Sequence, residues 1–271
     1  RNIHFRDSSG TVVNCIEPWG RLTLDPEKTI TPAALWRALE ANGTEFISVP
    51  HHTSAATHPF NWDTYNPRYD RLVEVYSGWG SSEYYGDVPR GLADRFPSLY
   101  VREALNRGLR MGLIASSDGH DGHPGNAQAL LHRHQYVFHL LGSGRAVVMA
   151  PELTRDAVFT ALRDRRCYAT TGVPIALSFR LDGEAMGSEL DSYQADRRPE
   201  LEIECRGASG IDHVRIIKNG RTVVTDFVHG ERDYSMLWKD PEPPGAAGAY
   251  YYVRVVQVDR ESAWSSPIWI G

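Results

Sequence analysis

The hydrophobic period changes once along this chain, and that change constrains its fold more than any other feature. Beyond about residue 172, Leu177, Phe179 and Leu181 alternate with Ser178 and Arg180, and Leu201, Ile203 and Cys205 repeat the pattern. A period of two belongs to a strand with one buried face. Asn219-Gly220 stands between two strand-like runs as a hairpin turn, and Tyr250–Val258 forms a further run. Several short strands with no helical pattern predict a small all-β, sandwich-like domain over 173–271. Within it, the Pro-, Gly- and Ala-rich stretch from Pro241 to Gly248 is a loop.

Before that change, helical and strand-like segments alternate. Thr31-Pro32 caps and starts a helix that runs through Leu35 and Leu39 and stops at Gly43. A strand over Glu45–Pro50 then leads straight into His51-His52. The next strand, Arg71–Tyr76, sets Leu72, Glu74 and Tyr76 on one face and Val73 and Val75 on the other. Ser98 caps a helix ending near Gly108, after which Met111–Ala115 delivers Ser116-Ser117-Asp118-Gly119-His120. A last helix runs from a Thr154 cap to Arg165. Strands that release polar residues at their carboxyl ends are what a (β/α) barrel produces, because the loops beyond those ends build its site. Residues 1–172 are therefore expected to be α/β and barrel-like. The histidines are skewed the same way: of eleven, eight lie between His51 and His139, and only His213 and His229 fall in the last hundred residues.

Composition narrows the function. With 29 Lys+Arg against 34 Asp+Glu the formal charge is −5, which argues against nucleic acid or an anionic membrane as the main partner. Hydrophobic residues at 41% with charged residues at 23% suit a chain that buries a core. No apolar run approaches the roughly 20 residues of a membrane span. Cys15, Cys167 and Cys205 are an odd number without a CxxC pair, which argues against a disulfide framework and a zinc ribbon. The first residue is Arg1 and no leader follows it, so localisation stays open.

Asp118 and His120, two residues apart after a buried-looking strand, share a face in extended backbone. Zinc, manganese or iron accepts such a His/carboxylate mixture. The plainer reading is that Asp118 caps a turn and His120 is an ordinary loop histidine. His51 and His52 stand at another strand end, where a satisfied, partly buried histidine competes with ligation. Glu74 lies inside a strand, where a buried charge needs a partner, either a cation or an arginine. Three such features on successive strands favour a metal, since a barrel brings strand ends together. Glu83, in the loop after Gly78-Trp79-Gly80, is either a ligand or a surface carboxylate. Trp62, Tyr65, Tyr69, Trp79, Tyr84 and Tyr85 wall a pocket or simply pack.

Pro50-His51, Val73-Glu74-Val75 and Ser117-Asp118-Gly119-His120, in this order, resemble the later motifs of the polymerase-and-histidinol-phosphatase (PHP) superfamily of metallohydrolases. Arg166-Cys-Tyr-Ala-Thr-Thr-Gly172 and Ala263-Trp-Ser-Ser-Pro-Ile-Trp269 resemble the joining segment and closing strand of a bacterial subfamily with a β-rich tail. The resemblance implies a distorted (β/α)7 barrel that holds two or three divalent ions (Zn, Mn or Fe) and hydrolyses phosphoesters. Carried over by position, the metal ligands are His51, Glu74, Asp118 and His120. His52 and His123 would move protons or orient ligands, as would His58. The substrate implied is a small, phosphorylated ester.

One departure is large. PHP domains open with a His-x-His strand, and the only such spacing here, His132-Arg-His134, comes after the last motif. Arg1-Asn-Ile-His-Phe5 resembles the segment after the family's early strands, so the sequence resembles the later part of a PHP barrel. On that reading part of the site precedes Arg1, and this chain alone is expected to hydrolyse a generic phosphoester poorly. Two rivals remain. One is a non-enzymatic binding protein whose sandwich recognises glycan or protein beside a degenerate barrel. The other is an amidohydrolase-like enzyme, disfavoured because the first 172 residues contain only Lys28 as a candidate bridging lysine.

Overall fold

The computed structural model describes residues 1–11, 31–55, 60–87, 96–119 and 144–271. Among the described residues, strand accounts for 39% and helix for 14%, with three α-helices. The expected partial (β/α)7, TIM-like barrel is therefore wrong, and the architecture is a β-rich fold of several sheets. Among the described residues no helix is long and apolar enough to cross a membrane.

The first part runs β1 (Asn2–Phe5), α1 (Pro32–Ala41), β2 (Phe46–Val49), β3 (Leu72–Ser77), β4 (Gly80–Ser81), α2 (Val101–Asn106) and β5 (Gly112–Ala115). The Thr31 hydroxyl accepts the Ala34 N–H and caps α1. β1 pairs antiparallel with β2, β3 pairs parallel with β5, and β4 turns back on β3. A parallel Ser48–Asp70 bridge and the Glu74 N–H to Pro50 carbonyl bond (2.9 Å) set β2 beside β3.

Next come β6 (Arg145–Val148), α3 (Arg155–Arg163), β7 (Cys167–Thr170), β8 (Ala176–Leu181), β9 (Glu184–Ala185), β10 (Glu189–Leu190) and β11 (Glu200–Arg206). The chain ends with β12 (Ile211–Lys218), β13 (Arg221–Phe227), β14 (Asp233–Lys239), β15 (Ala249–Gln257), β16 (Ser262–Ser265) and β17 (Ile268–Ile270). A four-stranded sheet, β14-β11-β8-β9, faces an eight-stranded one ordered β10-β17-β15-β16-β7-β6, with β12 on β15 and β13 on β12. Asn219 and Gly220, both at positive φ, make the β12–β13 turn.

These pairings explain why no barrel forms. β6 and β7 are antiparallel, and β7 pairs with β16, so both join the large sheet instead of extending the parallel set β2, β3, β5. Hydrogen bonding thus runs across the expected boundary at residue 172. The two segments that carry the subfamily resemblance meet here: Tyr168, Ala169 and Thr170 lie opposite Ser265, Trp264 and Ala263.

The large sheet is the middle layer. Along β15, Tyr251, Val253 and Val255 pack into the sandwich core with Phe179, Leu181, Leu201 and Ile203. Tyr250 and Tyr252 point the other way, joining Trp264 and Trp269 against Val73, Val75, Leu105 and Leu113. Both faces of β15 are covered, so the strand reads as a nearly unbroken apolar run. β3 and β5 are covered similarly: behind them Leu72 and Ile114 meet Ile47, Val49 and Phe159 of α3. Cys167 and Cys205 are buried, unbridged packing thiols, and Cys15 lies outside the described residues.

A buried charge cluster fastens the layers together. Glu83, fully buried, accepts from Arg102 (2.7 Å), Arg254 (2.8 Å), the Tyr252 hydroxyl (2.6 Å) and the Trp264 indole (2.7 Å). Arg254 also reaches Asp87 at 2.5 Å. Burial alone would raise the Glu83 pKa, but attraction by Arg254 and Arg102 outweighs it and holds the carboxyl well below its ordinary range. Glu83 is a structural counter-ion here, because four donors already occupy its two oxygens.

Candidate metal centre

Parallel strands put their carboxyl ends on one edge of a sheet, so the segments leaving β2 and β5 must lie close together. The chain places Pro50-His51-His52 after β2 and Ser116-Ser117-Asp118 after β5. One ligand atom each from His51, His52 and Asp118 falls within 4.8 Å of the others, and all three residues are half-buried. The two imidazoles meet edge to face, with centroids 4.2 Å apart at 80°.

Two of these residues hold left-handed backbone: His52 at φ +34° and Asp118 at φ +52°. For a residue with a Cβ this conformation costs about 1–2 kcal/mol, and such strain gathers where a site dictates geometry. Hydrogen bonds hold it. The His52 N–H donates to Glu74 Oε1 at 3.1 Å, and the Trp79 indole N–H donates to Asp118 Oδ2. The Trp79 ring lies 5.3 Å from that of His52.

Glu74 lies beneath the cluster, 2% exposed on β3. It also accepts from the Ser116 hydroxyl. Burial pushes its carboxyl up to about 7, with repulsion from Asp118 adding to the rise and the Ser116, His52 and Ser77 hydrogen bonds opposing it.

The structure thus brings His51, Asp118 and His52 together, the last in the donor group itself and not beside it. Glu74 supports that group from below. His120 and His123 lie outside the described residues, as do His58, His132, His134 and Lys28. Of the aromatic cluster, Trp62 is core, Tyr69 stacks on Phe46 at 4.5 Å, and the Arg102 guanidinium covers Tyr84 at 4.2 Å. Trp79 alone of that group touches the donors. Two imidazole nitrogens and a carboxylate oxygen form a donor set that suits zinc, manganese or iron, so the residues fit a divalent ion on their chemistry.

A family model described as a protein of unknown function, DUF3604, matches residues 125–198, which excludes His51, His52, Glu74 and Asp118. An uncharacterised protein of Chlamydia pneumoniae is 32% identical over 247 residues, covering 83% of this chain and 38% of its own length. Uncharacterised proteins of Chlamydia trachomatis serovar D and Chlamydia muridarum are 32% and 31% identical, each over 85% of this chain and 39% of theirs. The chain therefore spans about two fifths of the length of the curated relatives it matches. No solved structure matches it significantly.

Proposed function

We propose that this protein is a metal-dependent hydrolase acting on phosphoesters, with His51, His52 and Asp118 as the cation-holding residues. The observation that carries this reading is their convergence within 4.8 Å beyond the carboxyl ends of β2 and β5, the two strands that flank β3. The phosphoester class rests on the motif resemblance to the PHP superfamily. A divalent ion bound there supplies Lewis acidity, lowering the pKa of water and drawing charge off a phosphoryl oxygen. The chain's own part is orientation. Glu74 fixes His52 through its backbone N–H, and the half-exposed imidazoles leave the ester an approach from solvent. Further ions, and His120 and His123, belong to the same proposal.

The test measures bound zinc, manganese and iron after equilibration, together with turnover of a chromogenic phosphodiester, for wild type, His51→Ala and Asp118→Asn. Stoichiometric metal lost in both variants, with slow turnover that falls to background with it, supports the reading. Equal metal in all three proteins overturns the site. Metal held without any phosphoester turnover overturns the hydrolase and favours the non-enzymatic binding protein.

A further inference from the structure

We infer that Trp79 is a positioning residue: its indole N–H fixes the Asp118 carboxylate against the two imidazoles, and its ring screens one side of His52. This rests on the proposed cation site.

The inference starts from how the chain presents Trp79. The residue sits at the tip of the β3–β4 hairpin in Ser77-Gly78-Trp79-Gly80, where Ser77 pairs with Gly80. Gly80 takes φ +90°, a conformation a side chain would strain. The Trp79 N–H donates to Ser77 Oγ at 3.2 Å, and the Gly78 N–H reaches the Ser117 carbonyl at 3.4 Å. That second bond ties the hairpin to the segment that carries Asp118.

The hairpin is also braced from behind. The Glu83 N–H donates to Ser81 Oγ at 3.2 Å, Ser81 donates to Asp87, and both acids are held by Arg254 of β15. Trp79 is only half-buried, so core packing does not account for its place. Its indole N–H is directed at Asp118 Oδ2 and its ring lies against His52. A large side chain on a braced turn, touching two of three candidate ligands, orients those ligands. With Oδ2 held by the indole, coordination through both carboxylate oxygens is disfavoured, so Asp118 meets a cation through a single oxygen.

The experiment titrates Co²⁺ and Mn²⁺ into wild type, Trp79→Phe, Asp118→Asn, the double variant and His51→Ala, following calorimetric affinity, the visible Co²⁺ spectrum and indole emission. Trp79→Phe keeps an aromatic ring and removes the N–H. Expected is an affinity loss of about 10–100-fold for Trp79→Phe, the range for removing a group that orients a ligand, with an altered Co²⁺ spectrum and unchanged circular dichroism. Co²⁺ should quench an emission component in wild type that Trp79→Phe lacks. In the Asp118→Asn background the Trp79→Phe change should leave whatever weak Co²⁺ affinity persists unaltered. Wild-type affinity and spectrum in Trp79→Phe, or an equal loss with and without Asp118, overturns the positioning role while leaving the site standing. Wild type and His51→Ala binding alike, or neither binding, overturns the site and this inference with it.

Discussion

Glu74 on β3 and Glu83 just beyond β4 flank one hairpin, both almost completely buried, and their carboxyls are driven in opposite directions. The groups acting on Glu83 include two guanidinium ions as well as a phenol and an indole, and together they outweigh burial. Those acting on Glu74 are two hydroxyls, one backbone N–H and the repelling carboxylate of Asp118, and burial prevails. A buried acid that the fold has given arginines is finished as structure. One left beside a second acid and two imidazoles is in a place that a divalent cation would improve. Strain differs too: His52 and Asp118 take left-handed backbone around the Glu74 cluster.

If this contrast is right, neutralising the two acids has unequal consequences. Glu83→Gln leaves the guanidinium groups of Arg102 and Arg254 short of a counter-charge in the interior and is expected to cost about 3–5 kcal/mol. At pH near 4.5, where the Glu74 carboxyl is still protonated, Glu74→Gln in metal-free protein is expected to change stability by no more than about 1 kcal/mol. Denaturant unfolding with chelator present measures both, and equal costs would erase the distinction.

The same contrast predicts opposite responses to pH. Glu83 titrates at about 2 in the folded protein, below its ordinary value of 4.5, so its contribution is full above about 4.5 and lost as pH falls toward 2. Glu74 is raised from 4.5 to about 7, so its contribution is full below 4.5 and lost as pH rises through 7. Melting temperatures of metal-free protein across this range should therefore show wild type losing ground to Glu74→Gln on the alkaline side. Glu83→Gln should lose its deficit on the acid side. Parallel curves for wild type and both variants would mean that neither shift is real.

Metal addition sharpens the comparison from the other end. A ligand that binds only the folded state stabilises it by about 2.7 kcal/mol at a hundred times its dissociation constant. That gain should appear in wild type and in Glu83→Gln, and vanish in His51→Ala and Asp118→Asn. A gain lost in Glu83→Gln but kept in Asp118→Asn would move the cation to the wrong cluster.

Local pattern was legible in the sequence, and assembly was not. The alternation of Leu177, Phe179 and Leu181 marks β8 because one face is buried and the other wet, and Thr31 and Thr154 mark the starts of α1 and α3 by capping them. The apolar runs of β2, β3 and β5 look alike whether a barrel or a second sheet covers them. Nothing local reveals that Tyr252 and Trp264 supply that cover, and this is why the barrel expectation failed. His51 and Asp118 were recoverable because strand ends in a parallel set are neighbours whatever closes the sheet. Glu83 looked like a loop carboxylate because Arg254 and Trp264, which define it, lie 171 and 181 residues away. Trp79 was visible only as one of six aromatics, since its bond to Asp118 spans 39 residues.

The smallest expected effect on metal binding tests how Glu74 is tolerated at all. Ser116 lies just beyond β5 and its hydroxyl donates to Glu74, a bond that lowers the acid's pKa against burial. Ser116→Ala removes that donor without changing the cation-holding residues. A buried acceptor that loses one of several donors is expected to cost about 0.5–1.5 kcal/mol, with the Glu74 carboxyl rising further. The backbone of His52 is still held by its N–H to Glu74, so metal affinity should fall by less than in Asp118→Asn. Carboxyl titration by NMR in metal-free protein, beside calorimetric metal binding, separates the two effects. If Ser116→Ala abolishes binding as fully as Asp118→Asn, then Ser116 and Glu74 belong to the donor set itself, and the support drawn beneath the cluster is part of the site.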